Sequence, residues 1–157
     1  AKRLFHVAMA KADYKGKYTY CYCTKSSHFS FVLDEACKND IHLETSSAFD
    51  IPIIRNLEER GKINKEVFVL CNGFKRPVYT QNIKELIQDG FTNVIPILDN
   101  MNELASYEDI YKNNKFKIGL RRREISLFLK RGLIALLGLI GFTELHQRIA
   151  LIVEALG

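Results

Sequence analysis

Residues 67–98, VFVLCNGFKRPVYTQNIKELIQDGFTNVIPIL, contain one complete strand–helix–strand phrase. Val67–Cys71 is an apolar run of strand length, and Val78–Gln88 sets Ile83, Leu86 and Ile87 on one helical face. Gly90 ends that helix, and Asn93–Leu98 is the next apolar run. A helix-length crossover returns the chain to the end of the sheet where it started, so such strands pair in parallel. The phrase recurs in both directions. Upstream, Lys17–Thr24 (KYTYCYCT) alternates aromatic with small residues, and Ser26 or Ser27 offers an N-cap to a helix through Phe31, Val32, Leu33 and Ala36. Ile41–Ser46 is a further strand, and Ser47 can cap a helix over Ala48–Arg60 that Gly61 closes. Downstream, Asn102–Tyr111 is read as a helix and Lys115–Leu120 as a fifth strand; a short helix over Leu4–Ala12 precedes everything and ends by Gly16. Five strands alternating with four helices predict an α/β fold with a parallel sheet. Right-handed crossovers leave a doubly wound sheet or a (β/α)8 barrel. Periodicity does not choose between them. The first strand lacks a G-x-G-x-x-G or Walker loop, which speaks against dinucleotide and P-loop sites, and five strands make up slightly more than half of a barrel of ~250 residues.

The composition fits this reading. Of 157 residues, 47% are apolar and 26% charged, which excludes wholesale disorder. The net charge of +5 is unevenly spread: residues 1–117 carry 17 Lys/Arg against 15 Asp/Glu, while residues 118–157 carry 6 against 3. Cys21, Cys23, Cys37 and Cys71 have no zinc-type spacing and read as free thiols of a reducing cytoplasm. No metal site is expected. The N-terminus lacks a charged–apolar–small signal pattern. The longest apolar run, Gly132–Phe142, has 11 residues, short of the ~20 a membrane helix needs.

In both architectures functional groups gather at the C-terminal ends of the strands. Those ends carry Lys25, then Glu44 with Ser46, then Asn72 with Lys75, then Asp99, then Arg121. Alternation along the first strand puts Thr19, Cys21, Cys23 and Lys25 on one face and Tyr18, Tyr20 and Tyr22 on the other. Small side chains suit a barrel interior, and tyrosines suit the layer beneath the helices. Lys25 then points into the mouth of the barrel, where a partly desolvated amine can act as a nucleophile toward a carbonyl. The plainer alternative is a solvated lysine between strand and helix.

Tyr22–Lys25, YCTK, resembles the Y-x-x-K motif of the fold-type III pyridoxal-phosphate decarboxylases, the ornithine, arginine and diaminopimelate decarboxylase group. With KGKYTYCYCTKSSHFSFVLDEA, IHLETSSAFD and VLCNGFK following in order, the likeness runs from Lys17 to about Arg121 and is nearest to the biosynthetic arginine decarboxylases. The resemblance implies a (β/α)8 barrel of the alanine racemase/ornithine decarboxylase type, pyridoxal 5'-phosphate as cofactor, and conversion of arginine to agmatine and carbon dioxide in polyamine (spermidine) biosynthesis. It implies that Lys25 carries the cofactor and that Glu44 stands at the acid position after the second strand. Asp50 stands where the family has a glutamate, so the two acids have their lengths exchanged relative to the ornithine enzymes. Asn72 and Lys75 match the N-x-x-K after the third strand. Asp99 and Glu103 match the acid and the E-L pair around the fourth, and Arg121 matches an arginine near the cofactor. Ser46, Asp50, Asn72, Lys75 and Asp99 are thus expected to support the site, and the intact family forms homo-oligomers.

Beyond residue 122 the likeness stops. The histidine that stacks on the cofactor ring, the glycine-rich phosphate loop and the acid at the ring nitrogen have no counterparts there, and His146 lies in a segment of different character. The expectation is therefore a truncated cofactor-binding barrel domain over residues 1–122 and a non-matching helical tail over 123–157, inactive on its own. Residues 125–156 read as a helix that covers apolar surface, or else as a basic helix adsorbing to a membrane. A membrane partner is not expected, and no motif supports nucleic acid. The competing function is a non-catalytic fragment or interaction module whose tail brings chains together.

Overall fold

The computed structural model describes residues 2–16, 18–111 and 116–120. Helix α1 (Lys2–Lys11) leads into strand β1 (Cys21–Cys23), α2 (Ser30–Cys37), β2 (His42–Thr45) and α3 (Asp50–Glu59). Then come β3 (Val69–Asn72), α4 (Pro77–Gln88), β4 (Val94–Leu98), a 3-10 turn (Met101–Tyr107) running into α5 (Glu108–Tyr111), and β5 (Gly119–Leu120). All five strands are parallel and lie side by side in chain order, β1-β2-β3-β4-β5.

Alternation along the strands divides the sheet into two unlike faces. Leu43 and Thr45 of β2, Val69 and Cys71 of β3, and Val94 and Leu98 of β4 are buried. They form one core with Leu33 of α2, Ile51, Ile54 and Leu57 of α3, and Tyr79, Ile83 and Leu86 of α4. The intervening Glu44, Leu70, Asn72, Ile95 and Ile97 are only half-buried. In-register pairs place Cys23, Glu44, Leu70 and Ile95 in one row of this open face, and Asn72, Ile97 and Gly119 in the next. Tyr22 packs against the core while Cys21 and Cys23 do not, as the parity of β1 required.

Several boundaries differ from the sequence reading. Neither Ser26 nor Ser27 caps α2, which starts after Phe29 without a side-chain cap. Ser47 does not cap α3 either: Phe49 precedes it, and the polar work is done by Asp50. β1 is three residues long rather than eight: of the expected Lys17–Thr24, only Cys21–Cys23 pair with β2 as strand. The helix expected over 102–111 is mostly 3-10, started by Asn100, whose side chain accepts the Asn102 N–H. Gly61 closes α3 as expected, with φ +65° and the Lys62 N–H bonded to the Leu57 carbonyl. The tail, with the helix expected over 125–156 and His146, lies outside the described residues.

Candidate functional site: the C-terminal rim of the sheet

Each strand exit is held by polar contacts that follow from its local sequence. After β1, the Thr24 N–H and hydroxyl both donate to the Glu44 carbonyl, at 3.0 and 3.1 Å. The buried threonine extends the β1–β2 pairing by one residue, and a turn closed by the Ser26 N–H on the Cys23 carbonyl throws Lys25 outward. Lys25 is exposed and makes no hydrogen bond or ion pair with a described residue.

Glu44 comes next on the open face, and its Oε1 accepts a hydrogen bond from Asn72 Nδ2 at 2.9 Å. Its charge reaches β1: the Cys21 thiol is pushed up to about 11, first by burial and then by Glu44. On the helix side of the same strand, the Thr45 hydroxyl meets the Tyr79 hydroxyl at 2.8 Å. Burial raises Tyr79 above the ordinary tyrosine range and pushes the wholly buried Cys71 thiol up to about 11, so neither is a ready nucleophile.

Two expected site residues serve the fold. Asp50 is only 7% exposed, and one carboxylate oxygen accepts the N–H groups of Ser46 and Ser47, both at 2.8 Å, and the Ser47 hydroxyl at 3.1 Å. It therefore shapes the β2–α3 turn from inside the first helical turn and does not face the rim. Lys75 donates to the Gly73 and Ile97 carbonyls, the latter at 2.6 Å, and lies 5.8 Å from the Tyr79 ring centroid. It fastens the β3 exit to β4. At the fourth exit, the Asp99 backbone N–H donates to Glu103 Oε2 at 3.0 Å. Ser46 and Gly73 meet back to back: a Cβ on Gly73 would lie 2.2 Å from the Ser46 carbonyl oxygen. Arg121 lies outside the described residues.

The structure thus joins Glu44 to Asn72 and sets Ser46 against the β3 exit, while Lys25 stands exposed in the turn after β1 and is not joined to Glu44. Sequence reasoning missed Tyr79, whose hydroxyl supports the β2 exit; its only signal was a place one turn before Ile83. It also missed a set of exposed phenylalanines on the loops after β1, β2 and β3 and in the first turn of α2. Phe29 and Phe31 stack at 5.8 Å between centroids, and Phe49 and Phe74 are 87% and 70% exposed. Their signal was an aromatic at a position outside the helical period.

Family models, curated proteins and solved structures were all compared with the chain, and none matches. Among the described residues, no group of three or more His, Cys, Asp or Glu side chains could hold a metal, and no helix is long and apolar enough to cross a membrane. The described residues do fit the aldehyde end of pyridoxal phosphate. A primary amine projects from the rim, and a carboxylate held by an amide stands on the next strand.

Proposed function

We propose that the chain forms part of a pyridoxal-phosphate-dependent decarboxylase acting on arginine, built on a partial (β/α)8 barrel of the alanine racemase/ornithine decarboxylase type. The observation that carries the reading is the sequential order of five parallel strands, with Lys25 at the first exit and the Glu44–Asn72 pair at the adjoining two. With right-handed crossovers, sequential order keeps all helices on one side of the sheet, the winding of a barrel; a doubly wound sheet reverses its order once. One core on one face agrees with that winding.

In this reading Lys25 holds the cofactor through its amine, and the bound cofactor supplies the electron sink for the carbanion left when carbon dioxide departs. Glu44, held toward β3 by Asn72, contributes a fixed negative charge on the open face of the strand next to β1. Arg121, next in sequence after β5, would add the cation that the resemblance implies near the cofactor. Thr24 and Lys75 act through the backbone: they fix the β1 exit on β2 and the β3 exit on β4, so that groups from separate loops keep their spacing. The parent reaction yields agmatine for polyamine synthesis in the cytoplasm, in a homo-oligomer. The 157-residue chain alone binds the cofactor weakly and turns over little arginine, since its sequence has no glycine-rich phosphate loop.

Borohydride reduction of the chain mixed with pyridoxal phosphate tests this. Peptide mass analysis should find the cofactor on Lys25 ahead of other lysines, and Lys25→Ala should remove that adduct. Uniform labelling of exposed lysines such as Lys11 would refute the assignment. A second reading, an interaction module, is favoured by the exposed Phe29, Phe31, Phe49 and Phe74 on the same rim. It predicts no preference for Lys25.

A further inference from the structure

We infer that Asn72 is a positioning residue: it holds the Glu44 carboxylate toward β3 and so keeps it from closing an ion pair on Lys25. Glu44 lies on the middle strand of three, with a long side chain on the open face that both neighbours share. On the β1 side its register partner is Cys23, two residues before Lys25, and its own carbonyl is bonded by Thr24, the residue next to Lys25. On the β3 side its register partner is Leu70, two residues before Asn72. The two competitors for the carboxylate are therefore symmetrically placed in sequence. Asn72 has it, at 2.9 Å, and Lys25 makes no ion pair with it.

The choice has a chemical consequence. An opposite charge within about 4–6 Å favours the charged form of an amine, and the ammonium has no lone pair with which to attack a carbonyl. A neutral amide holds Glu44 in place without cancelling its charge, so the carboxylate still acts across the face, as its effect on Cys21 shows. A cation at position 72 would neutralise it. An apolar residue would release it from β3, and on the β1 side Lys25 follows its register partner Cys23 by two residues. The contact stands by itself; its meaning for catalysis rests on the reading of Lys25 as the cofactor-bearing amine.

The test uses the full 157-residue chain with formaldehyde and cyanoborohydride, a probe small enough to need no pocket. The rate of Lys25 methylation, read by peptide mass and normalised to exposed Lys11, is compared in wild type, Asn72→Ala, and Asn72→Ala with Glu44→Gln. Asn72→Ala should slow Lys25 at least about threefold, and adding Glu44→Gln should restore the wild-type rate. Asn72→Leu, which keeps the branched outline of asparagine without its polar atoms, should repeat the slowing if the alanine variant unfolds. Equal rates in wild type and Asn72→Ala overturn the inference, and so does a slowing that Glu44→Gln fails to reverse, because lost local structure would explain it. A parallel arm with pyridoxal phosphate and borohydride keeps the two ideas apart. If it finds no preference for Lys25, the proposed function fails while the formaldehyde comparison still decides the role of Asn72.

Discussion

His42 shows how one side chain ties the sheet to the pH of its surroundings. It lies on the open face of β2, its Nδ1 accepts the Phe68 N–H at 3.1 Å, and its ring meets the Phe68 ring edge-on at 4.8 Å. Only a neutral ring protonated at Nε2 can accept that bond. Burial lowers its pKa from the ordinary value; Asp40 pulls upward against this, and Lys2 adds to the lowering. The folded chain thus binds fewer protons at this site than the unfolded chain. Its stabilisation is complete above the unfolded value of about 6.5 and is lost as pH falls through the lower folded value. Chemical denaturation at a series of pH values between 8 and 5 should show a midpoint that falls on acidification, and His42→Gln should flatten the fall over this range. An unchanged slope would assign the acid sensitivity to other groups. Lys25 and Lys75 make a different point at this scale. Both read as cations at strand exits, yet Lys75 is spent on two backbone carbonyls while Lys25 stands exposed. Residue type and spacing are the same for a ligand and a fastener, because the difference lies in which carbonyls the fold brings near.

Among the elements, the turns between strand and helix set the geometry of the rim. Gly61 and Gly73 both adopt positive φ, but for different reasons. Gly61 terminates α3 with open space where a Cβ would go, so Gly61→Ala should cost roughly 1 kcal/mol, the ordinary penalty of the left-handed region. At Gly73 a Cβ would strike the Ser46 backbone, which cannot move without dragging the β2–α3 turn held by Asp50. Gly73→Ala should therefore cost more, at the upper end of the about 1–3 kcal/mol of an overpacked site. Equilibrium unfolding of the two variants checks the order, and a smaller loss at Gly73 would contradict the close approach. An Asn-Gly pair after an apolar strand is a general turn signal. It does not show what the glycine lies against, since that neighbour is 27 positions away. The caps failed for a related reason: Ser26, Ser27 and Ser47 all have the right chemistry, but α2 starts only at Ser30, and the Ser47 hydroxyl donates to Asp50 instead of accepting a helical N–H.

For the molecule as a whole, the asymmetry of the sheet governs its dynamics. In the described sheet β2, β3 and β4 each have a neighbour on both sides, and β3 lies between the two buried rows of its neighbours. β1 has three residues and β5 two, each bonded on one side within that sheet. Amides that open only with global unfolding should thus concentrate in β3 and β4 and in the core-facing turns of α4. Hydrogen exchange followed by mass spectrometry should find peptides over 69–72 and 83–87 slowest, with 21–24 exchanging well before them. Comparable protection in β1 would show that the edge is covered.

The order of strands and helices was legible from sequence because burial on both sides of a parallel strand, and on one side of a helix, imposes a period that local residues must obey. The parity of β1, the closing role of Gly61 and the list of polar groups at the strand exits follow from the same local rules. Which of those groups belong to a site is another matter. Sequential strand order, the open face, the bond from Asn72 to Glu44, the exposure of Lys25 and the diversion of Asp50 and Lys75 into the fold all depend on partners 3 to 28 residues apart. Tertiary structure decided them, because a hydrogen bond is short and directional and goes to whichever partner the packing brings within about 3 Å.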